Sequence, residues 1–272
     1  MEFSVLLSLY KKEQPTFLRQ SLDSILAQTM PPSEIVIVED GELTDELYNV
    51  VDEYQRKCAC MKIVKLEKNQ GLGKALNEGL KHCSYDIVAR MDTDDISKPE
   101  RFEKQIKEFE NDPELCAISC WIDEFYDSPD DIRSTRKVPE TMEEIVKFGK
   151  KRNPLNHPAV MFKKEKIEKV GGYMPFYLFE DYYLWVRLIL EGCKVKNIQE
   201  SLLLFRANSD MYRRRGGLNY ALTEIKFQKK LRELGYINLW EMMLNITIRM
   251  TTRLIPNKLR IRVYKTFLRK KK

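Results

Sequence analysis

The first 95 residues alternate short apolar runs with stretches in which apolar residues recur at helical spacing. The apolar runs cover residues 4–10, 34–40, 61–66 and 86–92 and are rich in β-branched or other buried-type residues. Such runs are typical of strands that are covered on both faces of a sheet. Strands that alternate with helices form right-handed βαβ units, so we predict an α/β chain with a mainly parallel sheet.

The stretches between the apolar runs carry helix signals. Pro15 suits the first position of a helix, Thr44 suits the cap of a helix over 44–56, and 71–81 has a helical apolar stripe. Beyond residue 98 the pattern is less regular. There we predict helices over 99–110, 141–149, 180–191, 217–234 and 238–254, and strands over 116–127, 158–162, 193–198 and 202–207. Residues 257–272 suit an amphipathic helix, although LRIRV within them also alternates with the two-residue period of a strand.

The formal net charge of +6 conceals a strong asymmetry along the chain. Residues 1–205 contain 29 basic and 37 acidic residues, whereas residues 206–272 contain 18 basic and 4 acidic ones. From Met242 onward there are ten basic residues and no acidic one. This division disfavours a uniformly basic nucleic-acid binder and favours an acidic body with a basic attachment region.

The sequence shows no clear signal for a membrane span, a signal peptide or a zinc site. No stretch of about 18 uncharged apolar residues predicts a membrane-spanning helix, and the first residues do not resemble a signal peptide. The six cysteines include no CxxC pair and only two histidines are present, which disfavours a zinc site built on paired ligands. We expect all six cysteines to be reduced.

Acidic residues follow two of the predicted strands. Asp40 closes the second strand, and Asp92, Asp94 and Asp95 follow the fourth. Ligands of open parallel sheets bind outside the carboxyl ends of the strands. Neighbouring carboxylates repel one another unless a cation holds them, and Mg²⁺ or Mn²⁺ prefers oxygen ligands. A solvated acidic turn is the alternative, because Asp and Thr are also turn formers.

Three further segments are candidates for a site. The glycine-containing segment 71–74 opens a helix and allows close backbone approach to a nucleotide, or it is only a turn. Glu180 and Asp181 begin a helix, where they act as a general base or merely complement the helix dipole. His157 lies in NPLNHPAV, and a lone histidine is more often structural than catalytic.

Several of these segments, taken in order, resemble glycosyltransferase family 2. The matching stretches are SVLLSLYKKE, SLDSILAQT, EIVIVEDG, NQGLGKALNEGL, ARMDTDDISKPERFEKQ, NHPAVMF, VGGY and FEDYYLWVRLILEG. The YKKE and VEDG variants are similar to bacterial enzymes that build capsule, O-antigen or related cell-surface glycans. The resemblance implies the GT-A fold, a Rossmann-like and mainly parallel sheet flanked by helices, with a basic helical extension at its carboxyl end.

The resemblance also implies a division of the chain. We expect a catalytic domain over 1–205, with a nucleotide-sugar half over about 1–98 and an acceptor half over about 99–205. Residues 206–272 then form the basic helical region. The activity implied is transfer of a sugar, with inversion, from a nucleotide-diphosphate sugar such as a UDP-sugar to a hydroxyl group.

Donor-side roles are implied by the resemblance, position by position. Ser8 and Tyr10 are expected to contact the base or ribose, and Asp40 the edge of the pyrimidine. Here Glu39 stands where the family usually has aspartate, which leaves Asp40 as the safer contact. The nucleotide pocket is expected to be lined by Asn69, Gly71 and Lys74.

Metal and acceptor roles are implied in the same way. Asp92 and Asp94 match the DxD motif, so Asp94 is expected to bind Mn²⁺ or Mg²⁺ and Asp92 the ribose or a metal-bound water. Asp95 is a supporting candidate. Asp181 matches the catalytic base, while Glu180 and His157 match positions on the acceptor side.

The basic region suggests where the acceptor lies. Basic residues mixed with apolar ones suit an anionic membrane surface, and a lipid-linked acceptor would explain that placement. The acceptor is thus expected to be a glycan or a lipid-linked molecule. We therefore expect a cytoplasmic protein, peripheral on the inner face of the membrane, with no nucleic-acid partner. Arg206 and the arginines 213–215 are expected either to close over phosphates or to form a solvated loop.

Two other classes of function remain open from the sequence. A nucleotidyltransferase acting on sugar phosphates also uses strand-end carboxylates and a metal, although the segment after the first strand lacks the glycines expected of its phosphate loop. A non-enzymatic protein that binds nucleic acid or membrane through its basic end is the third possibility.

Overall fold

The computed structural model describes residues 1–207 and 217–254, with side chains to residue 251. The strands are β1 Ser4–Leu9, β2 Glu34–Asp40, β3 Met61–Leu66, β4 Ile87–Arg90, β5 Ile96–Ser97, β6 Leu115–Phe125, β7 Ile132–Arg136, β8 Met161–Lys163 and β9 Lys194–Arg206. The helices are α1 Pro15–Leu26, α2 Asp45–Lys57, α3 Leu72–His82, α4 Arg101–Asn111, α5 Met142–Gly149, α6 Lys164–Lys169, α7 Glu180–Leu190, α8 Leu218–Glu233 and α9 Leu239–Leu254.

These strands form one sheet in the order β3-β2-β1-β4-β8-β6-β9-β5, with β7 paired to β6. The first four strands in this order are mutually parallel, as the βαβ pattern predicts. Strand β8 then runs antiparallel to both of its neighbours, β4 and β6, so the second half of the sheet is mixed. The predicted α/β class is therefore confirmed, and its parallel part is the amino-terminal half.

The sheet is covered by helices on both faces. Along β1, Val5 and Leu7 pack on the side of α1 and α2, whereas Leu6 packs on the side of α3 and α7. This alternation arises from the two-residue period of a strand, and it explains why the sequence reads as continuously apolar there. The second layer extends to α8 through Phe227, whose ring stacks against Phe179.

Some predicted elements differ from the structure. The two strands predicted over 193–198 and 202–207 are one continuous strand, β9. The register of β9 against β6 shifts around Trp121. The polar residues of β9 at this shift therefore interrupt the apolar pattern of the sequence without ending the strand. Residues His157–Ala159 form a 3₁₀ turn instead of a strand, consistent with Pro158 having no N–H to donate, and β8 begins at Met161. The short elements β5, β7 and α6 were not predicted.

The cysteine expectation needs one correction. Cys58 and Cys60 are joined by a disulfide at the turn between α2 and β3. Four other cysteines, Cys83, Cys116, Cys120 and Cys193, are buried and free. The segment 257–272, predicted as a helix, lies outside the described residues.

The carboxyl-terminal helices pack on the body. Lys150 of the loop after α5 pairs with Glu241 of α9 at 2.8 Å, and Asn245 donates to the Lys150 carbonyl at 2.8 Å. Within residues 1–207 and 217–254, no helix has the length and apolar character needed to cross a membrane.

Candidate functional site

The carboxyl ends of β1, β2 and β4 lie at one edge of the sheet. Ser8 of β1 is level with Val38 of β2, and Leu6 is level with Arg90 of β4. The residues that come after these strands therefore meet above the same edge, where ligands of such sheets bind. Ser8 is half-buried there and Tyr10 is 39% exposed.

Asp40 organises the loop that comes after β3. Its carboxylate accepts hydrogen bonds from the backbone N–H of Gln70 at 2.7 Å and of Gly71 at 3.0 Å. The side chain of Asn69 donates to the Asp40 carbonyl at 3.1 Å. Asp40 is buried. Its contact with a pyrimidine stays a prediction. Such a contact would use lone pairs of the carboxylate that the two backbone amides leave free. The sequence did not predict these hydrogen bonds between Asp40, at the end of β2, and the loop before α3.

Two glycines shape that loop. Gly41 has a φ of +85°, and a Cβ there would lie 2.6 Å from the backbone nitrogen of Asn69. Gly71 has a φ of +86° and directly precedes α3, with no atom within 4 Å of its Cβ position. The start of α3 is therefore open, and Lys74 is exposed in its first turn. A helix N-terminus of this kind suits a phosphate group.

The acidic residues after β4 form a cluster. Asp92, Asp94 and Asp95 each have one carboxylate oxygen within 4.8 Å of those of the other two. The guanidinium of buried Arg90 donates to both oxygens of Asp92, at 3.0 Å to Oδ2. Asp92 remains 30% exposed, so Arg90 orients this carboxylate without covering it.

Arg206, the last residue of β9, hydrogen-bonds the loop that contains Asp94 and Asp95. Its backbone N–H donates to Asp95 Oδ1 at 2.9 Å, and its Nε donates to the carbonyl of Asp94 at 2.9 Å. Its guanidinium lies between the rings of Phe17 and Phe125, at 3.8 and 4.6 Å from their centroids. This buried position differs from the expectation that Arg206 closes over phosphates or lies in a solvated loop. The arginines 213–215 lie outside the described residues.

The cluster has more negative than positive charge. Burial and the neighbouring carboxylates of Asp92 and Glu13 raise the pKa of Asp94 to about 7. Burial and Asp94 raise the pKa of Asp95 well above its usual value, and its Oδ2 has no hydrogen-bond partner among the described residues. Crowded, incompletely paired carboxylates with hard oxygen donors fit a divalent cation such as Mg²⁺ or Mn²⁺.

Glu13 is a site residue that sequence reasoning missed. Its carboxylate accepts a hydrogen bond at 2.7 Å from the hydroxyl of Thr93, which lies between Asp92 and Asp94 in the sequence. Burial raises its pKa, and the charge of Asp92 adds to the effect. Glu13 is the last residue of the YKKE stretch, so the motif contained the signal, but its position beside Thr93 depends on how the loop after β1 folds.

Asp181, the second residue of α7, is held by an amide. Asn153 Nδ2 donates to Asp181 Oδ2 at 2.5 Å, and Arg136 donates to the backbone carbonyl of Asn153 at 2.9 Å. Burial raises the pKa of Asp181, while the backbone N–H of Tyr182, Arg136, Asn153 and Arg90 oppose that rise. Asn153 was not singled out from the sequence, because its contact with Asp181 depends on the tertiary fold.

Glu180 and His157 occupy different environments. A Cβ at Gly73 would lie 3.6 Å from Glu180 Cγ, so Glu180 packs over the first turn of α3. His157 is 8% exposed, and its Nε2 hydrogen-bonds the Tyr173 hydroxyl at 2.9 Å. Burial lowers the pKa of His157 well below its usual value, so the ring is neutral. Its role towards an acceptor stays a prediction.

Comparison with known proteins identifies the family. The model of glycosyl transferase family 2 matches residues 4–171. A UDP-Gal:α-D-GlcNAc-diphosphoundecaprenol β-1,3-galactosyltransferase of Escherichia coli is 41% identical over 269 residues, 99% of this chain and 97% of the relative. The amylovoran biosynthesis glycosyltransferase AmsE of Erwinia amylovora is 41% identical over 259 residues, 94% of this chain and 95% of the relative.

Solved structures share the fold at low sequence identity. S. aureus TarS 1–349 superposes with a TM-score of 0.66 at 18% identity, covering 98% of this chain and 75% of that one. The mannosyltransferase PcManGT from Pyrobaculum calidifontis, solved in complex with GDP-Man and Mn²⁺, gives 0.65 at 17% identity, covering 96% and 79%. The predicted GT-A fold is thus confirmed, and the nucleotidyltransferase and non-enzymatic alternatives have no support. The chain belongs to glycosyltransferase family 2 and is a glycosyltransferase.

Proposed function

We propose that this enzyme transfers galactose from UDP-galactose, with inversion, to a hydroxyl of a lipid-diphosphate-linked GlcNAc during cell-surface polysaccharide synthesis. The support for this donor and acceptor is the E. coli galactosyltransferase, which is 41% identical over 99% of this chain. A relative named for amylovoran biosynthesis, equally similar, supports the polysaccharide class of product.

The observation that carries the proposed chemistry is the position of Arg90. Its guanidinium pairs with Asp92 of the acidic cluster, and its charge also lowers the pKa of Asp181. A candidate donor carboxylate and the candidate base therefore interact with one buried cation. A sugar bound between them would have its leaving group on one side and its attacking hydroxyl on the other.

On the donor side, the loop that Asp40 fixes would receive the nucleotide. The uracil and ribose would lie against Ser8, Tyr10 and Asp40, and the phosphates near Asn69, Gly71 and Lys74. Asp94 would hold Mn²⁺ or Mg²⁺, with Asp95 supporting that loop. Because Arg90 already donates to both its oxygens, Asp92 suits the ribose or a metal-bound water better than direct ligation. When bound, the cation supplies positive charge that stabilises the departing diphosphate.

On the acceptor side, Asp181 would act as the general base. Asn153 occupies Oδ2, which leaves Oδ1 to accept the proton of the acceptor hydroxyl. The acceptor oxygen forms its bond to the anomeric carbon as the bond from that carbon to the diphosphate breaks. Attack from the opposite face inverts the anomeric configuration. Glu180 and His157 would shape the acceptor pocket.

We also propose the division expected from the sequence, a catalytic domain over 1–205 and a basic region over 206–272. The basic region would place the enzyme on the anionic inner face of the cytoplasmic membrane, where a lipid-linked acceptor is held. The charge difference between the two segments supports this arrangement.

A donor panel tests the proposal. Purified enzyme is incubated with Mn²⁺, a GlcNAc-diphosphate lipid and UDP-, dTDP- or GDP-sugars, and glycosylated lipid is measured. We expect turnover with UDP-galactose, its loss in EDTA, and recovery when Mn²⁺ is restored. Transfer from a different donor would refute the galactose assignment, and full turnover in EDTA would remove the cation from the reaction.

A further inference from the structure

Helix α9 exposes an unusually apolar surface. Its outward-facing side chains are Trp240, Met243, Leu244, Thr247, Ile248 and Thr251, a set that we call the outer face of α9. Trp240 is 78% exposed, Leu244 55%, Ile248 53% and Met243 50%. No charged side chain lies on this face among the described residues. Surface helices ordinarily have the opposite arrangement, with charged or polar residues facing water.

The inward side of α9 carries the polar contacts that fix this orientation. Arg249 pairs with Glu224 of α8, whose side chain is 1% exposed. Asn245 donates to Gln228 of α8 at 2.9 Å. Turning the apolar residues inward would leave the carboxylate of Glu224 buried without its partner, which is strongly unfavourable. The exposure of the outer face is therefore built into the packing of α8 and α9.

We infer that the outer face of α9 lies on an anionic lipid bilayer, with the helix parallel to the membrane plane. Residues 255–272, which continue directly from α9, contain eight basic residues and no acidic one. An apolar helix face that is continuous with a basic segment matches the two components of such a surface, the acyl boundary and the anionic headgroups. A tryptophan suits the interface between them.

Charge argues against the other occupants of this face. A second copy that used the same face would bring two strongly basic segments together, and like charges repel. Residues 255–272 folded back onto the outer face would find no acidic partner there for their charges. Only an anionic surface satisfies the apolar side chains and the basic segment together.

This inference extends the proposed function, because a bilayer contact would bring the site to a lipid-linked acceptor, but binding alone tests it. The full chain is sedimented with vesicles of phosphatidylcholine, with or without phosphatidylglycerol. The test variant carries Leu244→Glu and Ile248→Glu. Leu26→Glu is the control, because Leu26 is a comparably exposed leucine of α1, at 38%.

We expect binding to vesicles that contain phosphatidylglycerol, weakened at least about tenfold in the double variant and unchanged in the control. Brominated lipid should quench tryptophan fluorescence in the unsubstituted protein, and Trp240→Phe should remove that quenching while keeping the binding. The other two tryptophans are Trp185, which is fully buried, and Trp121, which is half-buried and donates to the Val138 carbonyl, so both should contribute little to it. Circular dichroism should show that the double variant stays folded, since both substitutions are at exposed positions.

Three results would overturn the inference. One is equal vesicle binding by the double variant and the unsubstituted protein. The second is a dimer in analytical ultracentrifugation that the double variant abolishes, and the third is a Trp240 that becomes accessible to acrylamide only after residues 255–272 are removed. If vesicle binding behaves as expected but no sugar reaches a lipid-linked acceptor, the proposed function fails and this inference stands.

Discussion

The proposed donor edge, formed by Glu13, Asp92, Asp94 and Asp95, and the proposed acceptor edge, formed by Asn153 and Asp181, surround their carboxylates differently. At the donor edge, Asp92, Asp94 and Asp95 lie together with Glu13. Burial, with the charges of Asp92 and Glu13, raises the pKa of Asp94 to about 7. At the acceptor edge, Asp181 is held by the neutral amide of Asn153. The first arrangement has four carboxylates against two arginines, Arg90 and Arg206, and so suits a further cation. The second leaves an oriented oxygen that could accept a proton. In the proposed function, aspartate would thus serve two chemistries according to its surroundings.

The largest expected loss of activity comes from a substitution at the acceptor edge. Asp181→Asn removes the proposed base, so kcat should fall about 10²- to 10⁴-fold. The fold and donor binding should be unchanged, because the substitution keeps the size of the side chain. Steady-state kinetics and calorimetric titration of UDP-sugar with Mn²⁺ measure the two quantities, and turnover close to that of the unsubstituted enzyme would reject Asp181 as the base.

A substitution at the donor edge should lower Mn²⁺ affinity as well as kcat. Asp94→Asn keeps the shape of the loop but removes the proposed cation ligand, so Mn²⁺ affinity and kcat should both fall, the latter about 10²- to 10³-fold. Electron paramagnetic resonance of free Mn²⁺ measures its binding directly. Asp181→Asn is the matched control, since it should leave Mn²⁺ binding intact. Equal Mn²⁺ affinity in Asp94→Asn would contradict the ligand role.

A third variant, Asn153→Leu, tests the acceptor edge through the pH dependence of kcat. Asn153→Leu removes a hydrogen bond that lowers the pKa of Asp181, so the pKa of the base should rise further. Because a base must be deprotonated, the acid limb of the kcat profile should move to higher pH, with the largest loss of activity on the acid side. An acid limb at the same pH would show that Asn153 does not act through Asp181. Circular dichroism separates this effect from unfolding.

The smallest effects concern the loop at the donor edge. Gly41→Ala forces a residue with a Cβ into a φ of +85° and against the nitrogen of Asn69. It should lower the free energy of unfolding by about 2–4 kcal/mol. Gly71→Ala is strained by a φ of +86° and a ψ of 158°, which only glycine adopts readily, but it meets no contact, so its loss should be about 1–3 kcal/mol. Urea denaturation compares them, and equal losses would mean that the close approach at Gly41 is relieved elsewhere.

Periodic features and strand ends were predictable from the sequence. The period of apolar residues located β1 to β4 and α1 to α3, and the strand-end rule placed Asp40 and Asp92 at one edge. Contacts between distant segments were out of reach, such as the bond from Asn153 to Asp181. Arg206 was expected as a closing group, but tertiary packing buries it between two aromatic rings. Local pattern carries no information about such partners.

The orientation of α9 has the same cause. Its composition predicted a helix, but which side faces water depends on the pairing of Arg249 with Glu224 and of Asn245 with Gln228. These pairs join two helices, so the periodicity of either helix alone does not predict them. The basic charge of the region was visible in the sequence, whereas the apolar outer face of α9 required the structure.

The most direct test of the central claim is the anomeric configuration of the product. Galactose in UDP-galactose is α-linked, so a single displacement at its anomeric carbon must give a β-linked product. The enzyme is supplied with UDP-galactose, Mn²⁺ and a GlcNAc-diphosphate lipid, and the anomeric proton coupling of the product is measured by nuclear magnetic resonance. The account predicts the large coupling of a β-galactoside, and an α-linked product would contradict it.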